Sequence, residues 1–167
     1  MTAWTPTKDG DPLGFAIFRR HYTFNRKRDQ LSFWTEGSDS LFVGPGEKLV
    51  LICGELALFV WRRERYRLDD QTGVNCAVFR NEGAGLSSDL IRQADAAAWQ
   101  RWPGERLFTF VDPKRTRHKR DPGRCFLRAG WKHAGWSKMG LRILEHLPGA
   151  SDHLSTEVSG TPTVSPS

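Results

Sequence analysis

The sequence predicts a single α/β domain built on a mixed sheet, and three observations carry that prediction. Short runs rich in Val, Leu, Ile and Phe recur at strand length along the chain. One longer stretch, with Leu90, Ile91, Ala94, Ala97, Ala98 and Trp99, repeats its apolar residues at helical spacing. Between the strand-like Val74–Phe79 and that helix lies a glycine-rich turn, Arg80-Asn81-Glu82-Gly83-Ala84-Gly85, followed by a further strand, helix and strand.

The elements follow in order. Residues 1–12 are polar and rich in Thr, Asp, Gly and Pro, and read as a flexible N-terminus; the domain proper is expected over 13–148. Leu13–Arg20 suits a short helix or a first strand. Glu47–Cys53 and Leu56–Arg63, joined by Gly54-Glu55, read as a β-hairpin. Ser87 or Ser88 would cap the long helix, with Asp89 favourably placed in its first turn, and Pro103-Gly104 ends it. Arg106–Val111 is the next strand, closed by Asp112-Pro113. Gly123–Ala129 reads as a short helix with Gly130 as its C-cap glycine, and Leu141–Leu147 as the last strand. Gly, Ala, Ser, Thr and Pro dominate after Pro148, so 149–167 is expected to be a disordered tail.

Composition excludes several classes. Hydrophobic residues make up 38% and charged residues 26% of the 167, as in a globular domain of ordinary size. No apolar run approaches the ~20 residues of a membrane span, and the N-terminus lacks signal-peptide character, so a cytoplasmic protein without membrane attachment is expected. Cys53, Cys76 and Cys125 are an odd number without a CxxC pair, and the histidines are scattered; no disulfide framework and no metal site are expected. The net charge is +6, and nine Lys or Arg against one acid lie between Pro113 and Lys138. A second basic cluster, Arg19, Arg20, Arg26, Lys27 and Arg28, surrounds His21 and Tyr22. Such clusters attract polyanions, and nucleic acid and a phosphorylated small molecule both qualify.

A strand that ends in a glycine-rich turn and opens a helix makes an anion site, because backbone amides and the helix dipole converge there. The turn here is neither a Walker loop nor a dinucleotide fingerprint. Arg80-x-x-Gly83-x-Gly85 resembles the Q/R-x-x-G-x-G/A pyrophosphate loop of the GNAT acetyltransferase superfamily. In that family the loop follows the fourth strand and precedes a long helix, a fifth strand and a helix ending in Gly-aromatic. Arg124-Cys125-Phe126-Leu127-Arg128-Ala129-Gly130-Trp131 stands at the matching place, so the resemblance covers about residues 47–147. It implies a mostly antiparallel sheet flanked by helices, and acetyl-CoA or another acyl-CoA as acyl donor.

The resemblance also implies roles. Backbone groups of Asn75, Cys76 and Val78, with Phe79 beside them, would pair with the pantetheine arm like an added strand. Amides along Arg80, Asn81, Glu82, Gly83, Ala84 and Gly85 would hold the pyrophosphate, with the Arg80 side chain as a charged partner. Many members protonate the departing thiolate with a tyrosine; the matching residue here is Phe126, which has no proton to give. Tyr22, beside His21, is the better placed of the two tyrosines for that task. Asp112, at the end of a strand, is the first choice for a general base, with a turn-forming role before Pro113 as the competing reading. His21 is a further catalytic candidate or else a surface histidine. Glu82 is expected exposed in the loop, and Ser87 either touches the acyl-CoA or caps the helix.

Phe79-Arg80-Asn81-Glu82, Leu86-Ser87-Ser88-Asp89-Leu90-Ile91, Val111-Asp112 and Cys125-Phe126-x-x-Ala129-Gly130-Trp131 are similar, more narrowly, to phage DNA-modification proteins of the Mom type. That resemblance implies acylation of the exocyclic amine of adenine in DNA, as protection against restriction. Phe33, Trp34, Trp131 and Trp136 are candidates to stack an extruded base, against core packing as the alternative. Acylation of another amine, a GNAT-shaped binding module without turnover, and an unrelated nucleic-acid-binding domain remain open. So does the oligomeric state, a homodimer included.

Overall fold

The computed structural model describes residues 2–21, 42–115 and 122–149. Tyr22, Phe33, Trp34 and the tail from 150 onward lie outside them. The elements are β1 (Thr5–Thr7), α1 (Pro12–Phe18), β2 (Glu47–Cys53), β3 (Ala57–Arg63), β4 (Val74–Asn81), α2 (Ser87–Arg101), β5 (Leu107–Val111), α3 (Arg124–Arg128), β6 (Lys132–Trp136) and β7 (Arg142–His146). The seven strands form one sheet in the order β1-β2-β3-β4-β5-β7-β6. Every neighbouring pair is antiparallel except β4 with β5. The α/β, mostly antiparallel architecture expected from the sequence is therefore present.

Local chemistry explains most of the elements. Asp11 caps α1, its Oδ1 accepting from Leu13 N and Gly14 N at 3.0 Å each, and Pro12 supplies the fixed φ of a first helical position. In α2 the expected apolar stripe is the buried one: Leu90, Ile91, Ala94 and Ala98 are at most 2% exposed. Burying the two larger side chains contributes about 2 kcal/mol each. The short helix α3 ends as predicted: Gly130 has φ 97°, Gly130 N bonds Leu127 O and Trp131 N bonds Phe126 O, both at 3.1 Å. That pair of bonds is a Schellman cap, and its left-handed residue favours glycine.

Three readings need correction. The polar start is not loose throughout: Thr5–Thr7 pairs with β2 as an edge strand. Trp4 is buried beneath it and donates its indole N–H to Leu90 O at 2.8 Å. α2 begins without a side-chain cap, so neither Ser87 nor Ser88 plays the capping role. A strand also precedes β7 that periodicity does not reveal. β6 reads Lys-His-Ala-Gly-Trp and is exposed at all but one of its positions, so no apolar alternation marks it.

The core has two parts, one on each face of the sheet. On one face α2 and α3 cover Phe59, Trp61, Val74, Cys76, Leu107 and Leu144. On the other, α1 and Phe42 cover Val50, Leu58, Val60 and Val78. Within β4 the register against β3 slips between Cys76 and Val78, leaving Ala77 as a bulged residue. The bulge changes the face parity, so Cys76 and Phe79 lie on the α2 side while Ala77 and Val78 face α1.

Candidate functional site

The site begins where the one parallel pair among the described residues comes apart. β4 and β5 are matched over Val74↔Leu107, Asn75↔Phe108 and Cys76↔Thr109, and no further. Thr109 Oγ1 donates to Cys76 O at 2.9 Å, the last link between the two strands. Beyond it the bulge at Ala77 turns β4 away, and a cleft of about 870 Å³ opens toward the carboxyl ends of both strands. Its walls are β4 from Ala77 onward and β5 from Thr109 to Val111. Its far side is closed by the start of α2, by α3 and by His21.

Strand pairing decides which backbone groups the cleft can use. Asn75 and Cys76 are already engaged with β5, so the edge of β4 that lacks a partner strand starts at Ala77, not at Asn75 as expected. The Cys76 thiol is buried, and burial pushes its pKa well above the ordinary value, so it stays protonated. Val78 turns its side chain into the α1-side core.

The glycine loop is held by one side chain that the sequence reading treated only as backbone. Asn81 Oδ1 accepts from Gly83 N at 3.1 Å and Ala84 N at 2.9 Å. Its Nδ2 donates to Gly85 O at 2.7 Å and to Ser87 Oγ at 2.9 Å. An Asn at the end of a strand before Gly-x-Gly is an Asx-turn signal, and that is how this role was legible. Gly83 and Gly85 have φ 110° and 147°, a region L side chains rarely adopt. The clamp shifts the anion site along the chain. The amides of Glu82, Gly83 and Ala84 already have acceptors, Glu82 N bonding Leu56 O at 2.6 Å. Among the described residues, the amides of Gly85, Leu86, Ser87 and Ser88 donate to no protein acceptor. They form the entry to the fifteen-residue helix α2 and point at the cleft with its dipole.

Charge around this opening is positive. Arg20, Arg80, Arg115, Arg124 and Arg128 all line it. Glu82 is not simply an exposed loop acid. Its carboxylate bridges Arg20, at 2.6 and 2.8 Å, and the Arg80 Nε, at 2.6 Å. The hydrogen bonds from Arg20 and then Arg80 hold its pKa down at about 2. Part of the Arg80 guanidinium is therefore occupied by Glu82.

The catalytic candidates separate clearly. His21 is not a surface histidine: it is 9% exposed and lines the cleft. Burial lowers its pKa to about 4, with the nearby Arg80 charge adding to the effect and a hydrogen bond to the Phe79 backbone opposing it. The ring is neutral near neutral pH and can accept a proton. Asp112 lies just behind the cleft wall. Its Oδ1 accepts from Lys114 N at 2.9 Å and its Oδ2 stands 3.7 Å from Arg115 Nε, the turn-forming arrangement. Ser87 lines the cleft with its hydroxyl engaged by Asn81. Phe126 is 6% exposed at the cleft floor, edge-on to Phe79 with centroids 5.9 Å apart and to Trp131 at 4.8 Å. Trp131 is core: it is 2% exposed and donates to Asp95 Oδ2 at 2.9 Å. Trp136, by contrast, is 59% exposed.

Among the described residues no cluster of His, Cys, Asp or Glu has the arrangement of a metal site. No helix there is long and apolar enough to cross a membrane. Comparison with protein-family models, with curated proteins and with solved structures gave no match.

Proposed function

We propose that this protein is an acyl-CoA-dependent N-acyltransferase of the GNAT type, and that its acceptor is the exocyclic amine of adenine in DNA. One observation carries the reading. The fourth strand leaves the fifth at Cys76 and Thr109, and the cleft so formed ends at unpaired helix-start amides ringed by arginines. The family pattern asks for its pyrophosphate loop after the fourth strand. The edge strand β1 is what makes Val74–Asn81 the fourth in this chain.

The residues fit such a donor. The edge of β4 from Ala77 offers backbone donors and acceptors to an extended amide-bearing arm, by the logic of strand addition. Amides at Gly85–Ser88 and the surrounding arginines suit a pyrophosphate. When bound, an acyl-CoA supplies a thioester carbonyl activated toward amines. The neutral amine of the acceptor must shed a proton as its nitrogen bonds to that carbonyl, and the neutral His21 ring, which lines the cleft, is the candidate to take it. A thiolate is already a fair leaving group, which lessens the need for the proton that Phe126 cannot supply. Arg115, which stands 3.7 Å from Asp112, is one of the arginines lining the cleft. The basic stretch from Pro113 to Lys138 supports a polyanionic acceptor. Phe126 at the usual tyrosine position favours a second reading, a GNAT-shaped module that binds without turnover.

Mass spectrometry of nucleosides from bacteria expressing the protein tests the proposal, together with calorimetric titration of acetyl-CoA. A new acylated adenine nucleoside that disappears with His21→Gln supports it. Acetyl-CoA binding with unmodified DNA sinks adenine as the acceptor and points to another amine or to the binding module. No acetyl-CoA binding sinks the acyltransferase reading itself.

A further inference from the structure

Beyond the cleft, the hairpin of β6 and β7 combines features that nothing in the donor site explains. Trp136 is 59% and Met139 is 87% exposed at its tip. The tip is a fixed turn: Ser137 N bonds Leu141 O at 2.8 Å, Gly140 N bonds Ser137 O at 3.0 Å, and Leu141 N bonds Ser137 Oγ at 3.0 Å. His133 packs edge-on against Trp136 with ring centroids 5.5 Å apart, which limits where the indole can swing. Two large apolar side chains are thus held out in water on a rigid support.

Their place is set by strand register. Trp136 pairs with Arg142, and Arg142 pairs with Val111, whose side forms part of the cleft wall. The hairpin tip therefore lies at the end of the sheet where the cleft opens, two strand spacings or about 10 Å from β5. Arg142 Nη1 donates to Pro122 O at 3.0 Å, fastening the hairpin to the segment that leads into α3. Tip and cleft mouth share one rim, and among the described residues its cations include Lys138 on the hairpin, with Lys114, Arg115, Arg124 and Arg128 beside it.

Apolar tips set among cations match a ligand that is anionic outside and flat and apolar within. Duplex DNA has that structure, with phosphates flanking stacked bases. A second copy of this chain would bring lysine against lysine across the same surface. We propose that the β6–β7 hairpin is a DNA wedge. Trp136 and Met139 enter a base step, the rim cations hold the adjoining phosphates, and the loss of stacking frees a nucleotide for the cleft. A separation of about 10 Å corresponds to about three base-pair rises, so wedge and cleft engage the same short stretch of duplex. The inference rests on the nucleic-acid part of the function proposed above and not on the identity of the acyl donor.

Fluorescence anisotropy with a labelled duplex, over a range of salt concentrations, separates the contributions. Trp136→Ala is expected to weaken binding roughly 5- to 100-fold with the salt slope unchanged, because stacking is lost and no ion is. Lys138→Ala should weaken binding and lower the slope by about one. A duplex carrying 2-aminopurine should brighten with the wild-type protein and not with a Trp136→Ala/Met139→Ala double variant. Both side chains are exposed, and an unchanged melting temperature confirms that the variants fold. Absence of DNA binding by the wild type, or undiminished binding by Trp136→Ala, overturns the proposal. So does sedimentation showing a wild-type dimer that Trp136→Ala dissociates. Acetyl-CoA titration of the same variants keeps the two questions apart, since donor binding should be unaffected by the hairpin.

Discussion

Acidification should destabilise this protein through His21. The ring's pKa is 6.5 in an open chain and about 4 in the folded protein, chiefly because burial disfavours the charged form. The folded state thus binds the proton less readily than the unfolded chain. Stability from this residue is complete above the unfolded pKa and is lost as the pH falls through the window down to about 4. At about 1.4 kcal/mol per pKa unit, the loss reaches about 3 kcal/mol below the window, and about 2 kcal/mol of it falls between roughly pH 7 and pH 5. That is a large part of a marginal stability. His21→Gln cannot charge, so its urea midpoint should fall much less over the same range. Comparing the two proteins' urea unfolding near pH 7 and near pH 5 measures the difference directly. The Glu82 bridge interferes little above roughly pH 5: its carboxyl has an ordinary value of 4.5 and a folded value of about 2, so its contribution is intact above that interval and is lost as the pH falls through it. Asp95, raised by burial, contributes with opposite sign but equally in both proteins. Equal losses in wild type and variant, or a His21 ring that titrates near 6.5 by NMR, would refute the reasoning and remove His21 as a base that is neutral at neutral pH.

Other perturbations test the remaining parts of the site. Asn81→Ala removes the bonds that shape the glycine loop; acetyl-CoA affinity should drop at least about tenfold by calorimetry, with stability lowered by only about 1–2 kcal/mol. Glu82→Gln releases charge on Arg20 and Arg80, so acetyl-CoA binding should strengthen at low salt and depend more steeply on salt; unchanged salt dependence would mean those arginines do not meet the donor. On the far side of α2, Asp95 Oδ2 accepts from Trp131 Nε1 at 2.9 Å and faces His146 Nδ1 at 2.8 Å. Asp95→Ala leaves both groups without their acceptor and should cost about 2–4 kcal/mol in denaturant unfolding, while Asp95→Asn, which keeps an acceptor, should cost less.

Much of the fold was legible because its signals are local. The apolar runs within Glu47–Cys53 and Leu56–Arg63 on either side of Gly54-Glu55 made a hairpin, the apolar spacing of Leu90–Trp99 made a helix, and Gly130 made a cap. Each depends on residues within a few positions of one another. β6 was not legible, because Lys132–Trp136 becomes a strand only through β7, which offers it an edge, and carries no apolar pattern of its own. β1 is similar: Thr5-Pro6-Thr7 is polar, and its order comes from Val50–Ile52 and from Trp4 beneath it.

For the candidate site the division runs along the same line. The sequence alone determined that a glycine-rich loop would join a strand to a helix start, and that positive charge would gather nearby. Those follow from the residue types of one short segment. Only the tertiary structure decided that β4 and β5 separate at Cys76, that His21 is buried against Phe79 while Asp112 serves a turn, and that Trp131 is core while Trp136 is not. Burial, pKa and open strand edges are properties of partners brought from far along the chain. Residues 21 and 79, or 76 and 109, meet only when the sheet forms, and no local pattern records which of them will.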